Sequence, residues 1–391
     1  MASSINASTT AGVVTTADTS GVLNIQTAGT TAIAIDASQA VTFTNSANLP
    51  NTFGFKNRII NGAMVIDQRN AGASVSNTTA AIYTLDRWGC YGPSASKFTV
   101  QQSSTAPAGF INSLLVTSSA ATAVGASDIY HLFQQVEGLN ISDLGWGTAS
   151  AQTITLSFQV RSSLTGTFGG SLRNSAGNRS YPFTYTISTA NTWETKSIAI
   201  AGDTTGTWLT TNGIGISLSI GLGVGATFSG TSGAWAAGNY LSATGATSVV
   251  GTSGATFYIT GVQLEKGATA TSFDYRDYGR ELIMCQRYYA KITASAAYTG
   301  LGVGATTSNT VGQIFFKYPT TMRSSPTISQ SNCAINDLAT AFAVTSVGFA
   351  YAGTDTALCA FNIASGGTQY RPVVLTANNN TAAYVDFSSE L

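Results

Sequence analysis

The chain carries a single histidine, His131, and four widely spaced cysteines, Cys90, Cys285, Cys333 and Cys359. A Ser-His-Asp triad or a zinc site draws on several such groups brought together. No GxSxG elbow, GxGxxG turn or Walker loop occurs in the sequence. His131 lies inside the alternating run IYHLFQQ, where a lone histidine reads as a structural or interface residue. The cysteines lack CxxC spacing and match free buried thiols better than a disulfide framework, with Cys333 and Cys359 the one pair that could join. Cleavage of a glycoside needs two carboxyls at a set separation. Asp86, Asp128, Glu137, Asp143, Glu194 and Glu265 are the candidates, but surface carboxylates are the default reading. The expectation is a protein with no catalytic residue, no cofactor and no metal, and no EF-hand spacing recommends a calcium loop.

The positive signal comes from aromatic residues in a polar loop. Sugar rings stack their C–H faces on Trp and Tyr while amides bond their hydroxyls, so such a loop suits glycan binding. Trp235, Asn239 and Tyr240, in SGAWAAGNYLSATG, are the candidate carbohydrate-binding residues, with interface packing an equal reading for Trp235. Trp88, Trp193 and Trp208 abut strand-like runs and read as core or edge packing.

The elements that must carry these residues follow from composition. Charged residues make up 9% of the chain, against a usual share of about 25%. Its polar surface is therefore built from Ser, Thr, Asn, Gln and Gly, which disfavours long exposed helices and suits β structure. Formal net charge is zero and no basic run occurs, so nucleic acid is not an expected partner. No stretch approaches the roughly 18 apolar residues that span a bilayer, and MASSINASTTAG has neither a basic nor an apolar signal region. A soluble protein without a Sec signal or membrane insertion is the expectation.

Period-two runs recur along the chain. In residues 1–55, GVLNIQT, TAIAIDA and AVTFTN read as three half-buried strands, too few for an independent core. This segment is expected to dock on other copies or on a larger assembly. Residues 56–276 hold many more strands with Gly-rich connections, expected as an antiparallel jelly-roll sandwich. In TITLSFQV, residues Ile154, Leu156, Phe158 and Val160 share one face. FYITGVQLE reads as a closing strand with Phe257, Ile259, Gly261 and Gln263 on one face. Residues 277–290 read as a connecting helix with Tyr278, Leu282, Cys285 and Tyr289 as its apolar stripe. Residues 257–291 hold nine of the 34 charged residues, expected on the exposed side of that helix and its lead-in. Residues 291–391 are expected as a small C-terminal β-sandwich. The fold class is all-β.

Several segments, in order, carry a resemblance: NRIINGAMVIDQRNAGA, YTLDRWG, QQVEGLNISDLGWGTASAQTITLSFQVRSSLTGTFGGSLRN, NTWETKSIAIAGDTTGTW and FYITGVQLEKGATATSFDYRDYGRELIMCQRYYAK. Together, over about residues 57–290, they resemble a domain of tailed-bacteriophage virion proteins: tail fibre and receptor-binding proteins with a carbohydrate-binding-module-like jelly roll. FKYPTTMRSSPTIS resembles the start of the small β domain that often follows, and the leader resembles fibre attachment regions. The resemblance implies a virion component, assembled in the host bacterial cytoplasm. It implies a homotrimer attached to other phage tail or virion proteins through residues 1–55 and adhering to host-surface glycan. The shared motifs are framework motifs and carry over no receptor-binding residue. A head fibre or capsid decoration protein and a polysaccharide depolymerase are the alternative readings.

Overall fold

The run TITLSFQV behaves as its alternation requires, with Ile154, Leu156, Phe158 and Val160 all buried. A computed structural model describes residues 3–8, 12–16, 20–39, 41–43 and 56–391. The chain divides into two compact units, Met1–Gly54 and Phe55–Leu391. The protein is nearly all β, and among the described residues no helix is long and apolar enough to cross a membrane.

In the larger unit two six-stranded antiparallel sheets face each other as a jelly-roll sandwich. One runs in the order Glu194–Ile200, Ile154–Ser162, Thr256–Lys266, Ser113–Ser118, Phe98–Ser103, Val75–Ser76. The other runs Ser180–Ile187, Gly166–Arg173, Ile214–Val224, Ile129–Glu137, Trp88–Tyr91, Ile82–Leu85. Aromatic side chains from the two inner faces meet in the core: Phe158 on Tyr185 at 5.0 Å, Phe168 on Phe257 at 6.0 Å, and Phe98 on Tyr130 at 6.4 Å between ring centroids.

The closing strand departs from simple alternation. Ser157 pairs with Gln263 but Gln159 pairs with Thr260, so a β-bulge interrupts the register. Gly261 occupies it in the left-handed region at φ +60°, which favours glycine because no Cβ has to be accommodated. The bulge flips parity: Phe257 and Ile259 face the core before it, Val262 and Leu264 after it. A Cβ on Gly261 would also lie 2.6 Å from the ring of Phe110.

Of the charges of residues 257–291, Lys266, Asp277 and Arg280 are exposed as expected, but the others are not a solvated face. Glu265 and Glu281 are buried, and the Arg276 side chain is only 7% exposed. Arg276 Nη1 donates to Ile59 O at 3.1 Å and to Glu281 Oε2 at 3.2 Å, and Nη2 donates to Asn57 O. Arg287 grips Glu137 with Nε–Oε2 at 2.9 Å and Nη2–Oε1 at 2.6 Å. The segment threads between the leader at residues 56–66, the sandwich and the C-terminal strands, where its backbone groups need partners away from water.

Buried amides complete this seam. Asn57 Nδ2 donates to Val262 O, while Asn57 Oδ1 accepts from the backbone of Ile59 and Leu264. Gln134 exchanges two 3.0 Å bonds with the backbone of Ile60. Asn61 donates to Ile66 O and Asp86 O and accepts from Ile66 N. These side chains act as substitute strand partners for a segment that joins no sheet. At the other end Glu390 accepts from Arg69 at 2.9 Å and from Arg87, whose guanidinium also lies 3.6 Å above the ring centroid of Tyr288.

The α-helix is Tyr278–Gln286, capped by Asp277 Oδ1 accepting from Arg280 N at 2.9 Å. Cys285 is buried and Leu282 packs beside it, but Tyr278 is 63% exposed and Tyr289 already belongs to a strand. Of the expected stripe, Tyr278 lies in the first turn and faces solvent, and Tyr289 lies beyond the end of the helix. The strands beyond it, expected as a small sandwich, close on themselves. A six-stranded barrel runs Gly300–Ser308, Val311–Lys317, Thr356–Ile363, Ala341–Ala352, Cys333–Asn336, Pro372–Ala377 and back to the first. A three-stranded sheet, Tyr289–Thr293, Tyr384–Ser388 and Thr327–Ser331, accompanies it. Cys333 and Cys359, like Cys90 and Cys285, are buried free thiols.

The smaller unit is a five-stranded sheet in the order Gly12–Thr16, Ser3–Ser8, Leu23–Thr27, Thr30–Ile35, Val41–Phe43. Ser3–Ser8 runs parallel to Leu23–Thr27. The three strands expected from alternation are present, although residues 40, 44 and 45 of AVTFTN lie outside the described residues. No side chain of residues 20–39 is fully buried.

Two measurements check the seam. Arg276→Ala strands Glu281 in the interior, and is expected to lower the unfolding free energy in urea by about 3–5 kcal/mol; a loss below about 0.5 kcal/mol, the usual effect of a surface change, contradicts the assignment. For Glu137, burial alone would raise the pKa, but the bonds from Arg287 and Tyr288 hold it below the ordinary glutamate value. Its contribution is therefore complete above the unfolded glutamate pKa of about 4.3 and fades as pH falls through the lower folded value. The stability difference between wild type and Glu137→Gln should be full at pH 7 and shrink at pH 3; a difference that grows on acidification contradicts this.

Candidate functional site

Register places an unusual set of side chains on the outer face of the sheet that contains His131. Phe133 pairs with Ser219 and Gly89, His131 with Gly221 and Tyr91, Ser171 with Ser219 and Pro182, and Arg173 with Ser217 and Ser180. Alternate residues on these strands, such as Leu132, Leu172, Leu218 and Ile220, fill the core. The set of aromatic, hydroxyl and guanidinium groups therefore points away from it.

One end of this face is aromatic. The ring of Phe133 lies over Gly89, where a Cβ would fall 2.3 Å from it, and Tyr83 and His131 flank Phe133 at 5.5 Å. Tyr91 meets His131 edge-on at 6.2 Å and is half-buried. His131 shares a 2.8 Å hydrogen bond with Ser219 Oγ. Burial, with the Arg173 charge adding to it, pushes its pKa down to about 3. An imidazole so placed stays neutral at physiological pH and is a weak base.

The other end is polar. Buried Ser171, Ser217 and Ser219 form a hydroxyl floor, and half-buried Arg173 donates from Nη1 to Asn239 Oδ1. Burial lowers the pKa of Arg173 from its usual value. Asn239 is held by a loop that extends the edge strand Ser180–Ile187. Ser180 and Ala236 exchange backbone bonds of 2.9 and 3.1 Å, Gly233 N donates to Pro182 O, and Ser180 Oγ donates to Gly238 O. The loop then crosses the sheet so closely that a Cβ on Gly221 would lie 2.7 Å from Ser242 Oγ.

The three residues singled out from the sequence do not act together. Asn239 is exposed and touches Arg173, and half-buried Tyr240 packs on Gly230 and Gly238. Trp235 stands apart in a cluster with Trp146 and Trp208, at 5.3 Å from each, while those two are 4.7 Å from one another. Its indole N–H donates to Ala201 O at 2.7 Å. Asp203, which accepts from Trp208 Nε1 and pairs with Arg179, ties the cluster to the edge strand. Trp235 is thus a post that fixes the loop bearing Asn239. Arg173, which touches Asn239, was not singled out from the sequence.

Other features have separate roles. Glu137 and Asp143 pair with Arg287 and Arg58, Glu194 with Lys196, and Glu265 accepts from Gln263 and Thr271. Asp86 accepts two bonds from Gln68, and burial raises its pKa to about 6. Among the described residues, no three His, Cys, Asp or Glu side chains gather as a metal site. Clefts of about 210 and 320 Å³ flank the rings of Phe110, Phe273 and Tyr275 near the opposite sheet.

No protein-family profile matches the chain, and no curated protein matches it significantly. Among solved structures it is similar to the enzymatically active domain of the bacteriophage CBA120 tailspike protein 4, at 11% identity over 54% of this chain and 21% of that one, with a TM-score of 0.29. A putative sugar binding protein from Bacteroides thetaiotaomicron is matched at 12% identity over 54% of this chain and all of its own, with a TM-score of 0.32. A family 11 carbohydrate-binding module from Clostridium thermocellum, solved with a β-1,3-1,4-mixed-linked tetrasaccharide, is matched at 12% identity over 50% of this chain and 98% of its own, with a TM-score of 0.27. The chain spans about a fifth of the length of the tailspike domain. Likenesses at this distance assign no ligand, and the architecture rests on the strand order itself.

If Trp235 is a post, Trp235→Ala should lower stability by about 3 kcal/mol, in the range of aromatic core truncations. Urea unfolding checks this; a loss below about 0.5 kcal/mol would leave Trp235 free for a ligand.

Proposed function

We propose that this chain is a non-catalytic virion protein of a tailed bacteriophage, a homotrimeric tail fibre that adheres to glycan on the host surface. The observation that carries the adhesive part is the outer face of the sandwich, where Tyr91, His131, Arg173 and Asn239 stand around a serine floor. Rings next to hydroxyl and amide groups are what sugars need for stacking and hydrogen bonding. The virion part rests on the motif resemblance. Its first motif, NRIINGA, is the segment held by Asn57, Asn61 and Gln134.

Self-association is supported by the barrel. Val303 pairs with Val374, and Phe315 pairs with Leu358, which pairs with Tyr351. Val303, Phe315 and Tyr351 are 68%, 55% and 77% exposed. A closed barrel has no edge strand to add to, so apolar side chains on its outside associate by packing. The half-buried strands of residues 20–39 support a second docking site, to other virion proteins.

Binding of purified full-length protein to host surface polysaccharide tests the adhesive reading. Wild type is expected to bind and leave the chains at full length; shortened chains would make it a depolymerase, and no binding would remove the adhesin. In sedimentation, wild type is expected at the mass of three chains and Phe315→Asp/Tyr351→Asp at a lower mass; equal masses would clear the barrel of any part in assembly. Phage carrying a deletion of residues 1–55 should lack the protein on tails, and loss from capsids would place it on the head instead.

A further inference from the structure

Arg173 differs in its partner from the other half-buried arginines that meet no carboxylate: Arg161 donates to Asn191 O, and Arg323 to the backbone carbonyls of Asn212, Ser389 and Glu390. Arg69, Arg87, Arg179, Arg276 and Arg287 each meet a carboxylate within 4 Å. Arg173 is half-buried at the polar end of the outer sheet face, and its one hydrogen-bond partner among the described residues is the neutral amide oxygen of Asn239. A guanidinium has five N–H donors in a planar fork. Withdrawing such a cation from water without a counter-charge is unfavourable, and the strand could have carried an uncharged residue at that position.

The surroundings supply no anion of their own. Cross-strand neighbours of Arg173 are Ser180 and Ser217, and the next residues on the same face are Ser171, Ser219 and neutral His131. Nearby Gly177, whose Cβ would lie 3.6 Å from Arg173 Nη1, adds none. The fork is held at one end by Asn239, so its direction is set before a ligand arrives. A planar carboxylate accepts two parallel N–H bonds from such a fork. Tyr91 lies three strands away toward the other end of the face, where its half-buried ring suits a further sugar of the same glycan.

Resting on the adhesive reading above, we infer that the ligand is an acidic glycan, and that Arg173 receives the carboxylate of a uronic or nonulosonic acid residue while Asn239 contacts the same sugar. Neutral sugars lack the counter-charge that the site is missing, and the selectivity follows from that difference.

The test is a panel of bacterial surface glycans with neutral, uronate-bearing, nonulosonate-bearing and phosphate-bearing members, probed with full-length wild type, Arg173→Gln and Arg173→Lys. Wild type is expected to select carboxylated members, and methyl esterification of those carboxyls should weaken binding at least tenfold. Arg173→Gln should lose a similar factor and Arg173→Lys less, with thermal melts matching wild type; if Arg173→Gln fails to fold, the esterified glycans still decide the matter. Selection of neutral glycans, or of carboxylated ones whose esters bind equally well, overturns the inference while leaving the adhesive reading intact. Selection of phosphate-bearing members overturns the carboxylate assignment. Binding to no saccharide overturns both.

Discussion

A charged side chain withdrawn from water must meet an opposite charge or a set of hydrogen-bonding dipoles, and this constraint organises the whole of the larger unit. Arg276 with Glu281, Arg287 with Glu137, and Arg69 and Arg87 with Glu390 sit where residues 56–66, the sandwich, the helix and the C-terminal strands meet. Such pairs add little over a well-packed apolar contact, but removing one partner is severe. They therefore act as selectors: only one docking of these elements satisfies every group. The amides of Asn57, Asn61 and Gln134 extend the same logic to uncharged backbone.

That rigid seam leaves the outer sheet face free to carry a different chemistry. Its strands are fixed by the aromatic core beneath them, and its loop is fixed by the tryptophan cluster at one end and by backbone pairing with Ser180 along its length. Arg161, Arg323 and Lys56 meet backbone carbonyls instead of carboxylates, whereas Arg173 meets only the side-chain amide of Asn239, on a face that also carries rings and hydroxyls. A cation so sparsely met marks where an outside group belongs.

Much of this was legible in the sequence because period-two alternation reports burial directly. Ile154, Leu156, Phe158 and Val160 are inward as read, and a helix, Tyr278–Gln286, lies within the expected 277–290. The failures have physical causes. Gly261 reverses the parity of its strand by adopting a left-handed conformation, which alternation does not encode. A closed barrel and a small sandwich share one pattern, since both bury alternate residues. Ser3–Ser8 and Gly12–Thr16, SSINAS and GVVTT, form strands without the apolar alternation that would announce them. Glu281 and Arg276 looked like surface charges because their bonds to the backbone of Asn61 and Asn57, 220 and 219 residues away in the chain, cannot be seen in a local window. At the candidate site, loop composition pointed to Asn239, while the outward parity that makes Arg173 its neighbour emerged only from the register of Gly166–Arg173 against Ile214–Val224.

The central claim is that host glycan is held on this outer face by groups the sandwich positions and the seam holds in place. Backbone hydrogen exchange of the full-length protein, with and without host surface polysaccharide, tests it most directly. The account predicts slower exchange confined to the strands around Tyr91, His131 and Arg173 and to the loop at Asn239. Protection centred instead on Phe110 and Tyr275, or no change at Arg173 and Asn239 under saturating polysaccharide, would contradict it.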